Sequence, residues 1–391
     1  MEASEFRELM SPEGLRLLDS LPPYESASDV VRIVSRLRAE GHSPGLVAAV
    51  LSQAKLRARA RTKFGEFAST MLFTEAGLEQ ASRLQVAALH AGRFAAAEIH
   101  WVADLGCGIG ADALALAALQ LEVTAVERDE VTAAIAAYNL ASWSNARVEH
   151  AAAEDFDLTG IAGVYLDPAR RSAGRRLSDP ADWTPSLEFA FGLAERFPTG
   201  IKLGPGIDRS LIPPGCEAQW VSVDRDVVEL GLWFGPLARS GVGRAALVLT
   251  EGGPAELTAA GDSPDAETGQ LGEFLLEPDG AVIRARLIGD LARTVGARML
   301  HPEIAYLTAD EPVATPFASC FRVEAVLPLD VKILRKELSA RGIGTLEIKK
   351  RGVDVDPAQF RTRLGLKGDG AATLILTRGD GRRIALLTQR V

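Results

Sequence analysis

The sequence predicts an α/β protein: a doubly wound parallel sheet preceded by a helical region and followed by a smaller α/β module. Three observations carry this expectation. Helical periodicity alone fills the chain up to about residue 96, strands alternate with helices from there to about residue 250, and strand-and-hairpin patterning returns after about residue 320.

The chain has 391 residues, enough for two or three domains of roughly 100–200 residues each. With 47% hydrophobic and 24% charged residues it can bury true cores. No apolar run approaches the ~20 residues of a membrane helix. The opening MEASEFRELM is acidic and lacks the basic segment and apolar stretch of a signal peptide, so a cytoplasmic protein without membrane association is expected. Cys107, Cys216 and Cys320 are scattered, as are the five histidines. That argues against a disulfide framework and predicts no metal site. The net charge of −9 is uneven: residues 321–391 hold 15 Lys/Arg against 8 Asp/Glu, a net +7, which leaves −16 on the preceding 320 residues. Such a split suggests a basic module attached to an acidic enzyme.

Residues 1–96 read as a helical N-terminal domain. Ser43-Pro44 has an N-cap and N1 pattern, followed by Leu46, Val47, Val50 and Leu51 at helical spacing. The cations Lys55, Arg57, Arg59, Arg61 and Lys63 then alternate, as a solvated helix end or as a phosphate-facing patch. A core spans 97–250. The strand Ile99–Leu105 leads through a Gly-rich turn to the helix Ala111–Ala118. There follow a strand Glu122–Glu127, a helix Glu130–Leu140 and strands Ala146–His150, Gly163–Leu166, Ile201–Leu203, Ala218–Val223, Val227–Phe234 and Ala245–Thr250. Residues 251–319 read as a connector, loose as far as Gln270 and mixed but mostly helical from 273. The module 320–391 shows a strand FRVEAVLP, a helix Asp330–Arg341, the strand TLEIKK and a hairpin turning at Gly379-Asp380-Gly381.

The stretch Asp104-Leu105-Gly106-Cys107-Gly108-Ile109-Gly110 carries the chemistry. Its glycines let the backbone turn sharply toward a ligand, and the following helix presents free N–H groups there. Glu127, with Arg128 beside it, ends the next strand 23 residues after Asp104, where a carboxylate can accept both ribose hydroxyls of an adenosine cofactor. Gly106-x-Gly108-x-x-Ala111 also satisfies the dinucleotide fingerprint. Asp104 weighs against that alternative, because a carboxylate at the strand end repels a pyrophosphate. It suits S-adenosylmethionine (SAM), which carries a sulfonium and an amino acid and no phosphate.

This run resembles motif I of the class I SAM-dependent methyltransferases, with Glu127 at their acidic second motif. The resemblance implies a Rossmann-like core, SAM as cofactor, and contacts from Asp104, Gly106, Cys107, Gly108, Gly110, Glu127 and Arg128. Asp167-Pro168-Ala169-Arg170, after the fourth strand, is similar to the catalytic DPPY-type motif, which gives Asp167 and Pro168 the catalytic positions; Ala169 and Arg170 depart from that motif. Ser82 falls in a segment similar to the one that closes over the methionine end of SAM, or is a plain helix N-cap. Relatives place an Asp where Ala152 stands, so Glu154 or Asp155 substitutes, or the backbone does. A cysteine nucleophile for C5-pyrimidine methylation is not in evidence, since Cys216 sits in an unsuitable Pro-Pro-Gly context, and transfer to a base nitrogen is favoured.

Order and spacing resemble bacterial methyltransferases that end in a THUMP-like domain and act on RNA, which implies tRNA or rRNA as partner. Arg170 and Arg171, near Arg175 and Arg176, and Lys202 at the end of the fifth strand are candidate substrate contacts on the core. Lys349, Lys350 and Arg351 are candidates on the module, or a strand-end charge run. A small-molecule methyltransferase and an inactive SAM- or RNA-binding protein remain as alternatives.

Overall fold

The computed structural model describes residues 3–22, 27–168, 171–172, 175–176, 182–379 and 381–391. The chain forms two compact units, one of residues 1–202 and 233–237, the other of 203–232 and 238–391.

The first unit opens with helices Ala3–Leu9 (α1), Pro12–Ser20 (α2), Ala27–Ala39 (α3) and Pro44–Phe64 (α4). Ser43 caps α4 by accepting the Leu46 N–H, with Pro44 at the first turn as the sequence predicts. α4 buries Leu46, Val47, Val50 and Phe64 and packs against the three helices before it. Its cations are largely engaged within the protein. Arg57 donates to Met71 O and pairs with Asp19 at 3.0 Å, Arg59 pairs with Glu75 at 2.7 Å, and Lys63 reaches the helix described next. Two further helices, Glu75–Gln80 (α5) and Leu84–Ala96 (α6), lead into the sheet.

Strands and helices then alternate: Trp101–Leu105 (β1), Ala111–Ala118 (α7), Glu122–Glu127 (β2), Glu130–Leu140 (α8), Ala146–His150 (β3) and Gly163–Leu166 (β4). Arg171–Ser172 (β5) and Arg175–Arg176 (β6) pair with each other, and Leu187–Ala194 (α9) and Thr199–Leu203 (β7) follow. The order β3-β2-β1-β4-β7 is parallel throughout. Helices cover such a sheet on both faces, which is why β1 after Trp101 and all of β4 are buried without alternation. Tyr165, His90, Phe94 and Trp233 stack beneath it at 5.4–6.5 Å between rings. Gly200 is required there, since a Cβ would stand 2.7 Å from the Trp233 ring.

In the second unit Glu217–Val223 (β8) and Asp226–Phe234 (β9, to Leu232) precede Arg244–Thr250 (β10), which runs parallel to β8. The sequence predicts a loose connector next. Instead Gly253–Ala259 (β11) pairs antiparallel with β10 along its whole length; Pro254 is tolerated because β11 is an edge strand, where a residue without an N–H need not break a ladder.

The mostly helical reading of 273–319 is also corrected. The segment holds Phe274–Pro278 (β12), short helices Gly280–Arg284 (α10) and Ile288–Val295 (α11), then Arg298–His301 (β13), Ile304–Ala309 (β14) and the start of Ala318–Pro328 (β15). Burial of Phe274, Leu275, Leu276, Tyr306 and Leu307 on a shared sheet outweighs the helical spacing of short apolar runs. Val331–Ala340 (α12), Ile343–Lys350 (β16), Pro357–Leu364 (α13), Gly370–Gly379 (β17) and Arg382–Arg390 (β18) complete it.

The sheet order is β13-β14-β12-β15-β18-β17-β16. At about 4.8 Å per strand a flat sheet would hold β16 some ~19 Å from β12. Yet Lys349 on β16 lies 2.8 Å from Glu277 on β12, so the sheet curls strongly. Its inner face buries Leu275, Tyr306, Phe321, Ile375 and Leu386, while α12 and α13 cover Leu374, Leu376, Ala385 and Leu387 on the outer face. Leu374, Ile375 and Leu376 thus serve the two cores in turn, as strand alternation demands.

Candidate active site

Chain order reverses between β1 and β4, and a parallel sheet opens a crevice at the carboxyl ends of its strands at such a point. A cavity of about 590 Å³ lies there, within the usual range for small-molecule sites. Its walls include Asp104, the Gly106–Ala111 turn, Glu127, Arg128 and Asp167. Gly106, Gly108 and Gly110 have φ of 85°, 55° and 84°, a region only glycine enters freely. Gly110 precedes the first turn of α7, whose N–H groups complete the turn.

Asp104 is buried and lines the cavity. Burial, then the neighbouring Asp112 and Asp167, raise its carboxyl well above the usual range, although it accepts a backbone hydrogen bond from Ala113. Its Oδ2 has no hydrogen-bond partner among the described residues. A buried acceptor of this kind calls for a donor from a ligand. Glu127 is held by two backbone groups: Oε2 accepts from Gly108 N at 3.1 Å and Oε1 from Asp129 N at 2.8 Å. Burial is the first cause of its raised pKa.

Behind this wall runs a polar chain that links Asp167, Lys202 and Ser82, expected from the sequence, to Asp112, His90 and Tyr165, which sequence reasoning missed. Asp167, just past β4, lies 2.5 Å from the ammonium of Lys202 on β7. Lys202 donates to Ser82 Oγ at 3.0 Å and to Gln80 O at 3.2 Å. Ser82 donates to Asp112 Oδ2 at 2.7 Å, and Asp112 Oδ1 lies 2.8 Å from His90 Nδ1. The Tyr165 hydroxyl is 2.9 Å from the same nitrogen. Asp112 keeps a lowered pKa despite burial, through His90 first and then Lys202 and Ser82. Its place in the first turn of α7, two residues after Gly110, is the signal that could have exposed it.

Lys63 joins the same region. It donates to Leu78, Glu79 and Ala81 carbonyls, each at 2.8 Å, at the open end of α5, and burial followed by repulsion from Lys202 and Arg83 lowers its pKa to about 8. Gly77, Gln80 and Ala81 in that segment line the cavity.

The structure brings Asp104, Gly106, Cys107, Gly108, Glu127, Arg128 and Asp167 to the cavity; Gly110 shapes the turn from beside it. Ser82 and Lys202 stand one contact behind, and Ser82 is not the N-cap, a position that Arg83 holds. Pro168, next to Asp167, is buried and not on the wall. Glu154 and Asp155 are exposed, and Ala151 and Ala153 line the wall instead, which leaves the backbone alternative at that place. The Cys107 thiol stays protonated, raised by burial and by Asp104 and Glu127. Arg170 lies outside the described residues, as do the side chains of Arg171, Arg175 and Arg176. On the module, Lys349 pairs with Glu277 and Glu347, Arg351 donates to Ala305 O and lies over the Tyr306 ring, and Lys350 is exposed.

SAM fits this chemistry: two cationic groups, a wall rich in carboxylates, and a buried oxygen that lacks a partner. The chain belongs to the SAM-dependent methyltransferases. It is 34% identical over 357 residues to the SAM-dependent methyltransferases MT3122 and Rv3037c of Mycobacterium tuberculosis strains CDC 1551 and H37Rv, covering 88% of this chain and 95% of each relative. A crystal structure from Porphyromonas gingivalis W83, assigned as a methyltransferase, shares the fold with a TM-score of 0.72, 21% identity and coverage of 100% of this chain and 99% of that one. Residues 318–390 match the family described as THUMP domain-like, and residues 2–60 match a domain of unknown function, DUF8688. Among the described residues no helix is long and apolar enough to cross a membrane.

Proposed function

We propose that this methyltransferase modifies a base nitrogen of RNA. The observation that carries the reading is the THUMP-like match over 318–390, on a module whose net charge is opposite to that of the rest of the chain. THUMP domains are associated with RNA, and phosphate contacts favour cations.

SAM supplies an electrophilic methyl group on a sulfonium. In this reading Asp104 and Glu127 hold its cationic and ribose ends, with Gly106, Cys107 and Gly108 allowing close approach. Asp167 accepts a hydrogen bond from the target amine and orients its lone pair toward the methyl, with Pro168 stiffening the loop. Holding two reactants in line is itself a large share of such a rate. Cysteine chemistry gains no support: Cys107 is protonated, and Cys216 is raised to about 11 and donates to Pro213 O.

The test is methyl transfer from radiolabelled SAM to RNA isolated from a strain lacking the gene, followed by mapping of the modified site. Label on a nitrogen of one nucleotide is expected. Label absent from RNA but present on small metabolites would overturn the reading.

A further inference from the structure

The cations at the end of β16 that the sequence nominates for RNA are mostly engaged within the fold. The question is then which surface of the module is left to meet a polyanion. α12 buries Leu334 and Leu338, so the opposite side of the helix faces solvent, and there stand Lys332, Arg335 and Lys336, all exposed. Lys332 and Lys336 are one turn apart, about 6 Å along the axis. The Arg335 guanidinium donates to Arg363 O and Leu364 O at the end of α13, which fixes the two helices side by side and brings exposed Arg363 to that stripe; exposed Lys367 follows two residues after the Gly365 C-cap. Acids stand near it: Asp354 and Asp356 share a shallow pocket with Arg363 and Arg383, and Asp369 is exposed beyond Lys367. Asp330 and Asp356, however, are engaged, accepting backbone N–H groups as the N-caps of the two helices, and Glu337 is half-buried.

We infer that the paired outer faces of α12 and α13, with the turn that follows α13, are the RNA-docking surface of the module, gripping the phosphate backbone through Lys332, Lys336, Arg363 and Lys367. The inference rests on the RNA reading above and names the surface it uses. Charge complementarity selects the occupant: a flexible polyanion presents regularly spaced phosphates to a cationic stripe on rigid helices. The inner face of the sheet cannot serve, because Lys349, Arg351 and Arg390 are taken up by Glu277, Ala305 O and Ser319.

The experiment is a binding titration of fluorescently labelled bulk tRNA with the full chain at several salt concentrations. Lys332→Gln, Lys336→Gln, Arg363→Gln and Lys367→Gln are combined in one variant, and Lys332→Gln with Lys336→Gln in a second. The fourfold variant should bind at least about tenfold more weakly near physiological salt, and each lost contact should remove about 0.7 from the log–log salt slope for a single strand. The double variant should fall between it and the wild type. Lys350→Gln should match the wild type, and in all variants SAM affinity by calorimetry and the urea-unfolding transition should be unchanged, which verifies that both units fold. A fourfold variant that keeps wild-type affinity and slope would overturn the surface and leave the RNA reading standing. A wild type that ignores tRNA but binds anionic vesicles or an acidic protein would overturn both.

Discussion

The ammonium of Lys202 lies 2.5 Å from Oδ2 of Asp167, and the two residues follow directly on Ile201 and Leu166, which are partners in the β4–β7 register. The pair is therefore set by the sheet and not by a mobile loop. Lys202 also holds Ser82 and Gln80, so it orients Asp167 from a fixed platform. Asp167→Ala should lower turnover by about 10²–10⁴, the range for a group that handles the reacting proton or amine. Lys202→Met should lower it by about 10–100-fold through misplacement alone. SAM affinity, read by calorimetry, should stay within a few fold in both. Near wild-type turnover in Asp167→Ala would reduce that residue to a turn former.

Asp104 predicts a linkage between pH and cofactor binding. Its folded pKa is raised, chiefly by burial, so between the unfolded value near 3.8 and the folded one the native state binds more protons than the unfolded chain. Stability of the cofactor-free protein therefore falls as pH rises through that window. A cationic ligand reverses the preference, because it favours the charged carboxylate. SAM binding should strengthen with rising pH and release a proton, seen as a dependence of the calorimetric enthalpy on buffer ionisation. Asp104→Asn should melt higher without SAM and lose the thermal shift that SAM gives the wild type. An unchanged thermal shift would remove Asp104 from the binding site.

The part of this architecture legible in the sequence is the part where local pattern and tertiary role agree. Ala111–Ala118, Glu122–Glu127 and Glu130–Leu140 begin and end where periodicity and the glycine turn place them. β11 was hidden because its Gly, Pro and Ala content carries no strand signal, and α13 because an eight-residue helix of low apolar content lies between loops. Within the site, residues on the glycine motif could be read from spacing. The roles of Lys63 and His90 could not, since they arise from helices α4, α6 and α7 meeting in space. The Lys349-Lys350-Arg351 run shows the opposite failure: a charge run looks the same in sequence whether it faces water or closes a core.

Lys63 tests whether the cavity wall depends on the helical region. Its ammonium donates to the Leu78, Glu79 and Ala81 carbonyls at the end of a helix only six residues long. Lys63→Met keeps the stem and removes all three bonds. SAM affinity should drop by about tenfold, the scale of one to two net charge-assisted hydrogen bonds, with far-UV circular dichroism unchanged. Lys63→Arg, which retains donors, should recover part of it. Equal affinity in Lys63→Met would mean that α5 holds its place without the cap.

The neighbours Lys349 and Lys350 differ in fate because successive strand residues face opposite sides. Lys349 points to the inner face, 2.8 Å from Glu277, and both side chains are only about one-fifth exposed. It also lies over the Phe321 ring, with the nitrogen 5.9 Å from the centroid. Removing it leaves a partly buried carboxylate without its partner and frees one of the contacts that hold the curled sheet closed. Lys349→Ala should therefore cost about 1–3 kcal/mol in urea unfolding, below the 3–5 kcal/mol of a fully buried pair. Lys350→Ala should stay within about 0.5 kcal/mol, as an exposed position does. If Lys349 were instead a free phosphate contact, its replacement would leave the unfolding midpoint unchanged and weaken RNA binding in a salt-dependent way. The two measurements on one variant separate these outcomes, because a closing ion pair moves the midpoint and a phosphate contact moves the salt slope.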